Sequence, residues 1–171
     1  PGLPALLEED QLLSQALDAC NKGRNRGGGR VSMQADDAAT TAMHERDRLW
    51  IPRIKQALID NRFRLAHQPI ASLAGADPGF ADILIRMLDE QGDEVLPGEF
   101  MPAAARNKLV KNIDRWVLSA TMMLLDKTPV RKAFVKLSRP SVLDETLLPW
   151  LDNQFQTRGL DADRLVLQVS E

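Results

Sequence analysis

Cysteine, tyrosine and long apolar runs are scarce in this sequence of 171 residues. Cys20 is the one cysteine, and tyrosine is absent. A single thiol cannot close an internal disulfide, so the cysteine content favours a reducing compartment. Apolar runs stay below the roughly 18 residues of a membrane span, and the amino terminus has no signal-peptide pattern. The sequence therefore predicts a cytoplasmic location and no membrane segment in this chain. Its two ends suggest a fragment of a longer protein.

The chain also lacks a strong excess of either charge. A net charge of −2 gives no reason to expect a surface for a nucleic acid polymer. The two histidines, His44 and His67, are isolated, and neither has a partner at metal-ligand spacing. No nucleophile-elbow, Walker-type or Cys-x-x-Cys pattern occurs. These absences remove several common enzyme classes from consideration.

The segment 80–87 is apolar except at Asp82 and Arg86 and lies between turn-rich stretches, which predicts a buried β-strand. Side chains alternate between the two faces of a strand, so Asp82, Leu84 and Arg86 share one face. Charged groups are seldom buried unless they are paired or bound. That face therefore has either an internal ion pair or a functional site. The opposite face, which suits a covering helix, consists of Ile83, Ile85 and Met87.

The pattern around this segment predicts alternating strands and helices. Strands are predicted at 63–70, 81–87, 133–138 and 164–171, and helices at 97–107, 110–127 and around 143–155. A helix is also predicted to resume near Asp47. This order is typical of a parallel sheet, and four strands in about 110 residues is half of a (β/α)8 barrel. Ligand-binding residues of that fold gather at the carboxyl ends of strands. The polar residues at those ends are Gln68, Arg86, Ser138, Arg139 and Glu171.

The amino-terminal part has a different composition. Residues 6–20 have the apolar spacing of an amphipathic helix. The basic, glycine-rich stretch 23–30 is either a phosphate contact or a solvated connector, and its lack of aromatic residues favours the connector. Small polar residues at 32–41 favour a linker between domains.

Six motifs at consistent spacing resemble the EAL domain family. They are Gln68-Pro69-Ile70, Asp82-Ile83-Leu84-Ile85-Arg86, the stretch 96–104, Asp114-Arg115-Trp116-Val117, Lys136-Leu137-Ser138 and the stretch 167–171. The resemblance implies an α/β fold, a (β/α)8 TIM-like barrel of EAL type of which the first half is present. Members bind cyclic di-GMP, and the active ones linearise it by metal-assisted hydrolysis. The implied domains are a GGDEF-like tail at 1–31, a linker at 32–46 and half of an EAL-like domain at 47–171.

The sequence departs from the family at the metal-site positions. The family's glutamate is Asp82 here, its asparagine is Lys136, and the first glutamate of its fourth-strand motif is Gln168, whereas Glu171 is kept. An ammonium group has no lone pair for a metal and repels a divalent cation. Lys136 is further predicted to pair with Asp82. The resemblance thus implies no catalytic residue, no metal and no required cofactor.

The ligand-contacting positions of the family are kept. Gln68, Leu84 and Arg86 match its ligand residues, and Arg86 suits a phosphate. An alternative for Gln68 is a purely structural role in capping the end of its strand. Three further positions are predicted to contact cyclic di-GMP: Pro97, Asp114 and Arg139. Asp114 would accept hydrogen bonds from a guanine edge, and Arg139 would meet a phosphate or stack on a base.

With these departures, the chain resembles the catalytically silent EAL receptors that regulate type IV pili and twitching motility, and the resemblance implies that function. Its expected partners are cyclic di-GMP and a PilZ-domain protein, with homodimerisation left open and no nucleic acid polymer. A bacterial cytoplasmic location is expected, with partners bringing it to the cell pole or the inner-membrane face. Two alternatives remain, a weak metal-dependent phosphodiesterase and an interaction scaffold that has lost the nucleotide.

Overall fold

The structure is a computed structural model that describes residues 37–75 and 78–169. The predicted GGDEF-like tail, its amphipathic helix and glycine-rich loop, and Glu171 lie outside these residues. The chain divides into two compact units, Pro1–His44 and Glu45–Glu171. The described part of the first unit, 37–44, is helical. In the described ranges no helix is long and apolar enough to cross a bilayer.

The first described helix, α1 (Asp37–Ile59), begins ten residues earlier than predicted. The secondary-structure prediction was wrong here, because the helix includes small polar residues whose composition favours a linker. The domain boundaries themselves stay a prediction. Ile54 and Ala57 of α1 are fully buried. Asp47 is also buried and accepts hydrogen bonds from Arg106 Nε at 3.0 Å and Asn107 Nδ2 at 2.8 Å.

Within the described ranges the sheet contains five strands: β1 (Phe63–Ile70), β2 (Phe80–Leu88), β3 (Glu94–Val95), β4 (Lys132–Leu137) and β5 (Leu165–Val169). Their order is β1-β2-β4-β5, with β3 paired to the end of β2. The β2–β4 and β4–β5 pairs are parallel, as predicted. The β1–β2 pair is antiparallel, which corrects the prediction of four parallel strands. A parallel crossover needs a dozen or more residues, and the connection 71–79 is shorter than that.

In the described part of the chain, four helices follow α1: α2 (Pro97–Arg106), α3 (Val110–Lys127), the single-turn α4 (Arg139–Val142) and α5 (Leu147–Arg158). A 3-10 turn, Ala162–Arg164, leads into β5. Proline at the first position of α2 fits there because that amide has no partner within a helix. Gly159 ends α5 in the left-handed conformation, with φ of +61°. The predicted bounds of α3 are confirmed, and α5 begins later than the predicted 143 because residues 143–146 form a turn between α4 and α5.

The core lies between the helices and one face of the sheet. The predicted apolar face of β2 is confirmed, with Ile83 and Met87 buried. The Phe63 ring of β1 packs against Phe100 at 5.8 Å and Trp116 at 5.5 Å between ring centroids. The helices therefore cover one face, and the residues on the other face of the sheet include both charged and apolar side chains.

Candidate functional site

The strand pairing defines an open face, the side of the sheet opposite the helices. Residues that pair across neighbouring strands point to the same side, so the register gives its members directly. It includes the predicted site residues Gln68, Leu84 and Arg86 and the degenerate metal positions Asp82 and Lys136. Its other members are Arg64, Ala66, Ile70, Phe80, Leu88, Glu94, Lys132, Phe134, Val166 and Gln168. The half-buried Phe80 and Phe134 rings pack 6.0 Å apart.

Lys136 and Asp82 form an ion pair on the open face. The Lys136 Nζ atom lies 3.4 Å from Asp82 Oδ2, which confirms the predicted pairing. The lysine side chain is 68% exposed and that of the aspartate 23%. The other carboxylate oxygen, Asp82 Oδ1, is buried and has no hydrogen-bond partner among residues 37–75 and 78–169. The ammonium group therefore lies beside the carboxylate that would otherwise ligate a metal.

The strand β5, which lies beside β4, has a side-chain amide at the position of the first glutamate in the family's fourth-strand motif. Gln168 pairs with Lys136 across β4 and β5, and its Oε1 atom is buried without a partner in the described part of the chain. Mg²⁺ and Mn²⁺ prefer several oxygen ligands, with one or two carboxylates beside waters, and an ammonium group offers no lone pair. Among the described residues, no three histidine, cysteine, aspartate or glutamate side chains gather into such a group. One carboxylate, one amide and one ammonium do not fit a divalent cation.

Gln68 lies directly opposite Asp82 in the β1–β2 pair. The prediction from strand ends placed it at the carboxyl edge of the sheet, and this was wrong because β1 runs antiparallel to β2. Gln68 is nevertheless exposed on the open face, with Leu84 of β2 half-buried on the same face. The register brings the two residues together on one surface with Arg86.

Arg86 lies near the carboxyl end of β2. Its Nη1 donates to Ile85 O at 2.8 Å, and its Nε is 3.9 Å from Glu94 Oε2 on β3. Asp82 pairs with Lys136 instead, so the alternative of an internal ion pair between Asp82 and Arg86 is wrong. The long contact to an exposed carboxylate leaves Arg86 available for an anion.

Asp114 is buried in α3 and supports the start of α4. Its Oδ2 accepts hydrogen bonds from Ser138 N at 3.0 Å, Ser138 Oγ at 2.6 Å and Ser141 Oγ at 2.6 Å. The exposed Arg139 is the first residue of α4, and the half-buried Pro97 is the first residue of α2. These three predicted contacts lie on helices rather than on the open face, and their role in ligand binding stays a prediction.

A separate cavity of about 290 Å³ lies beside the β2–β3 turn. Its lining includes Trp50, Arg53, Arg62 and Glu99. The Arg53 guanidinium stacks on the Trp50 ring at 5.5 Å from the centroid. No predicted site residue lines this cavity, so the open face and not the cavity is the candidate site.

Residues 52–171 match the EAL domain family, and the chain therefore belongs to that family. This covers more than half of the sequence and includes every strand described above. The family assignment confirms the barrel-type fold class predicted from the motifs.

Among solved structures, the chain is similar to the EAL domain of Pseudomonas aeruginosa FimX bound to cyclic di-GMP. The identity is 41% and the TM-score 0.66, over 70% of this chain and 49% of that one. The cyclic di-GMP complex of the Xanthomonas citri FimX EAL domain matches with 26% identity and a TM-score of 0.67, over 77% and 52% of the two chains.

A curated relative is an enzyme. The cyclic di-GMP phosphodiesterase PdeF of Escherichia coli is 29% identical over 70% of this chain and 16% of its own length. The chain thus spans about half of the solved domains that it matches and a much smaller part of this curated relative.

Proposed function

We propose that this chain is part of an EAL-type receptor that binds cyclic di-GMP without hydrolysing it. The observation that supports this most is the Lys136–Asp82 ion pair at 3.4 Å, which lies where the family resemblance implies a metal site. On the same face, Gln68, Leu84 and Arg86 keep the residue types that the family uses for the ligand.

Electrostatics argue against a metal beside Lys136. An ammonium 4 Å from a divalent cation is repelled by about 8 kcal/mol at an effective dielectric constant of 20 and by about 2 kcal/mol in bulk water. The exposure of Lys136 places its environment between these limits. Hydrolysis by this family would require the metal to activate a water. The residues present therefore favour binding over catalysis.

The charge of the open face suits an anionic ligand. The whole chain has a net charge of −2, yet the described strand residues on this face include four cations and two carboxylates. The four cations are Arg64, Arg86, Lys132 and Lys136, and the two carboxylates are Asp82 and Glu94. Cyclic di-GMP has two phosphodiester charges, which such a face attracts. Apolar side chains such as Leu84 and Phe134 on the same face offer contacts for the guanine rings.

The similarity to FimX favours signalling through a protein partner. We therefore extend the proposal to a PilZ-type partner and to regulation of type IV pili, at a cytoplasmic site. Titration of a purified PilZ-domain protein into the full-length receptor tests this extension. The dissociation constant should fall when cyclic di-GMP is present, and an unchanged constant would contradict the extension alone.

A second candidate is a weak phosphodiesterase, because the relatives include PdeF. Calorimetric titration of cyclic di-GMP into the full-length protein, with and without Mg²⁺, separates the two candidates when the nucleotide is recovered afterwards. A receptor should bind without metal and return the cyclic form. Metal-dependent conversion to the linear dinucleotide would establish the enzyme, and an absence of binding would leave the scaffold.

Restoring the family's side chains sharpens this test. The triple variant Asp82→Glu, Lys136→Asn, Gln168→Glu removes the ammonium and adds one carboxylate. We expect Mg²⁺-dependent hydrolysis to rise above the wild-type level, whereas Asp82→Glu alone should not raise it because Lys136 remains. Equal hydrolysis by the wild type and the triple variant would contradict the assigned role of Lys136.

A further inference from the structure

The antiparallel hairpin formed by β1 and β2 brings a further residue to the edge of the sheet where β2 ends. The order of the strands along the sequence does not indicate this residue. In a parallel sheet, the carboxyl ends of the strands meet at one edge. Because β1 runs the other way, its amino end lies beside the carboxyl end of β2. Arg64, the second residue of β1, consequently pairs directly with Arg86.

This pairing places two arginine residues at directly opposed positions of the open face. Directly opposed residues of an antiparallel pair have Cβ atoms about 4.5–5.5 Å apart, and like charges in that position are destabilising. Glu94 compensates Arg86 only loosely, at 3.9 Å. No carboxylate of the described residues forms an ion pair with Arg64. The repulsion between the two arginines is therefore largely uncompensated.

The hydrogen bonds of Arg64 orient its side chain without neutralising it. Its Nη1 donates to Asn61 O and to Phe63 O, both at 2.7 Å, and both acceptors are backbone carbonyls at the start of β1. A guanidinium has five N–H donors in a planar fork. The described contacts use one nitrogen, which leaves donors of Nε and Nη2 for another acceptor.

We propose that Arg64 is a second phosphate-binding residue and that it shares one phosphodiester of the cyclic dinucleotide with Arg86. This inference rests on the proposed function, because the anion that it invokes is the same ligand. A phosphodiester between the two guanidinium groups relieves their repulsion and accepts charge-assisted hydrogen bonds from both. The two opposed arginines then have a function, which is to bind the phosphodiester of the ligand.

The test is calorimetric titration of cyclic di-GMP into the full-length protein carrying Arg64→Ala, with Arg48→Ala as the matched control. Arg48 is an exposed arginine on α1 and is not a member of the open face. The Arg64→Ala variant loses a charge-assisted contact, so its affinity for cyclic di-GMP should be about tenfold to one-hundredfold lower than that of the wild type. Arg48→Ala should bind as the wild type does, and Arg86→Ala should weaken binding at least as much as Arg64→Ala.

Arg64→Gln separates charge from folding, since glutamine keeps a donor for the carbonyls at the start of β1. It should keep the wild-type melting temperature and still bind at least several-fold more weakly, with a smaller loss of affinity on raising the salt concentration. If the wild type binds and Arg86→Ala does not, wild-type affinity in Arg64→Gln would overturn this inference alone. A wild-type protein that does not bind cyclic di-GMP would overturn the proposed function and this inference with it.

Discussion

The two faces of the sheet are built from the same strands but are stabilised in different ways. On the helix-covered face, Phe63, Met87 and Val135 are almost completely buried and pack against helices. On the open face, alternate residues of the same strands include Arg86 and Lys136, which form long ion pairs with carboxylates. Substitutions on the covered face should mainly change the free energy of unfolding. Substitutions on the open face should mainly change the affinity for a ligand.

The largest effect is expected from removing a buried ring. Phe63→Ala should lower the free energy of unfolding by about 3–5 kcal/mol, because it leaves a cavity between Phe100 and Trp116. Phe134→Ala on the open face should cost less than half of that, since its ring is only half-buried. Urea unfolding of the full-length protein measures both. Equal losses would contradict the distinction between the two faces.

A buried carboxylate comes next. Asp114→Ala should lower the free energy of unfolding by about 2–3 kcal/mol, because Ser138 and Ser141 lose their shared charged acceptor. Asp152→Ala, at an exposed position of α5, is the control and should change stability by less than about 0.5 kcal/mol. Thermal unfolding measures both variants. Unchanged stability with lost cyclic di-GMP affinity would instead establish Asp114 as a ligand contact alone.

The ion pair of the open face should matter less for stability. Lys136→Met removes the partner of Asp82, yet an exposed pair typically contributes less than about 1 kcal/mol. Lys127→Met, at the exposed end of α3, is a matched control. Both should unfold at nearly the wild-type urea concentration. A loss of several kcal/mol in Lys136→Met alone would show that the pair is structural and not a feature of the ligand face.

The smallest effect concerns acid stability. Hydrogen bonds from the Thr146 side chain and backbone, with Lys111 adding to them, lower the pKa of Asp144 from 3.8 to about 2. The folded-state pKa lies below the unfolded one, so this stabilisation is present above about pH 4 and is lost as the pH falls towards 2. Unfolding of Asp144→Asn followed from pH 5 to 2 should show a weaker pH dependence than the wild type. Identical slopes would exclude this contribution.

Much of the covered face could be predicted from apolar spacing. The bounds of α3 and the division of β2 into two faces follow from periods of 3.6 and 2, because a buried surface needs apolar residues at that spacing. The start of α1 could not be predicted in the same way. Its first ten residues are mostly small or polar, and residues 40–46 are exposed, so this part has no periodic signal and its composition favours a linker.

The open face was predictable in part. Asp82, Leu84 and Arg86 share a face by strand alternation alone, and the Lys136 partnership followed from the motif positions. Arg64 was missed although a signal existed, since a connection as short as 71–79 excludes a parallel crossover. The support that Asp114 gives to α4 joins residues 24 and 27 positions apart, and local patterns contain no information about such contacts.

The short connection between β1 and β2 also has a consequence for the order of folding. Nine residues separate β1 from β2, whereas 43 separate β2 from β4. If both loops are flexible, the entropic cost in free energy of closing the longer loop exceeds that of the shorter one by about 1.4 kcal/mol. We expect the hairpin amides to gain protection earlier than those of β4 in pulse-labelled hydrogen exchange during refolding, and simultaneous protection would contradict this. During refolding, Arg64 and Arg86 would then be opposed before Lys136 forms its ion pair with Asp82.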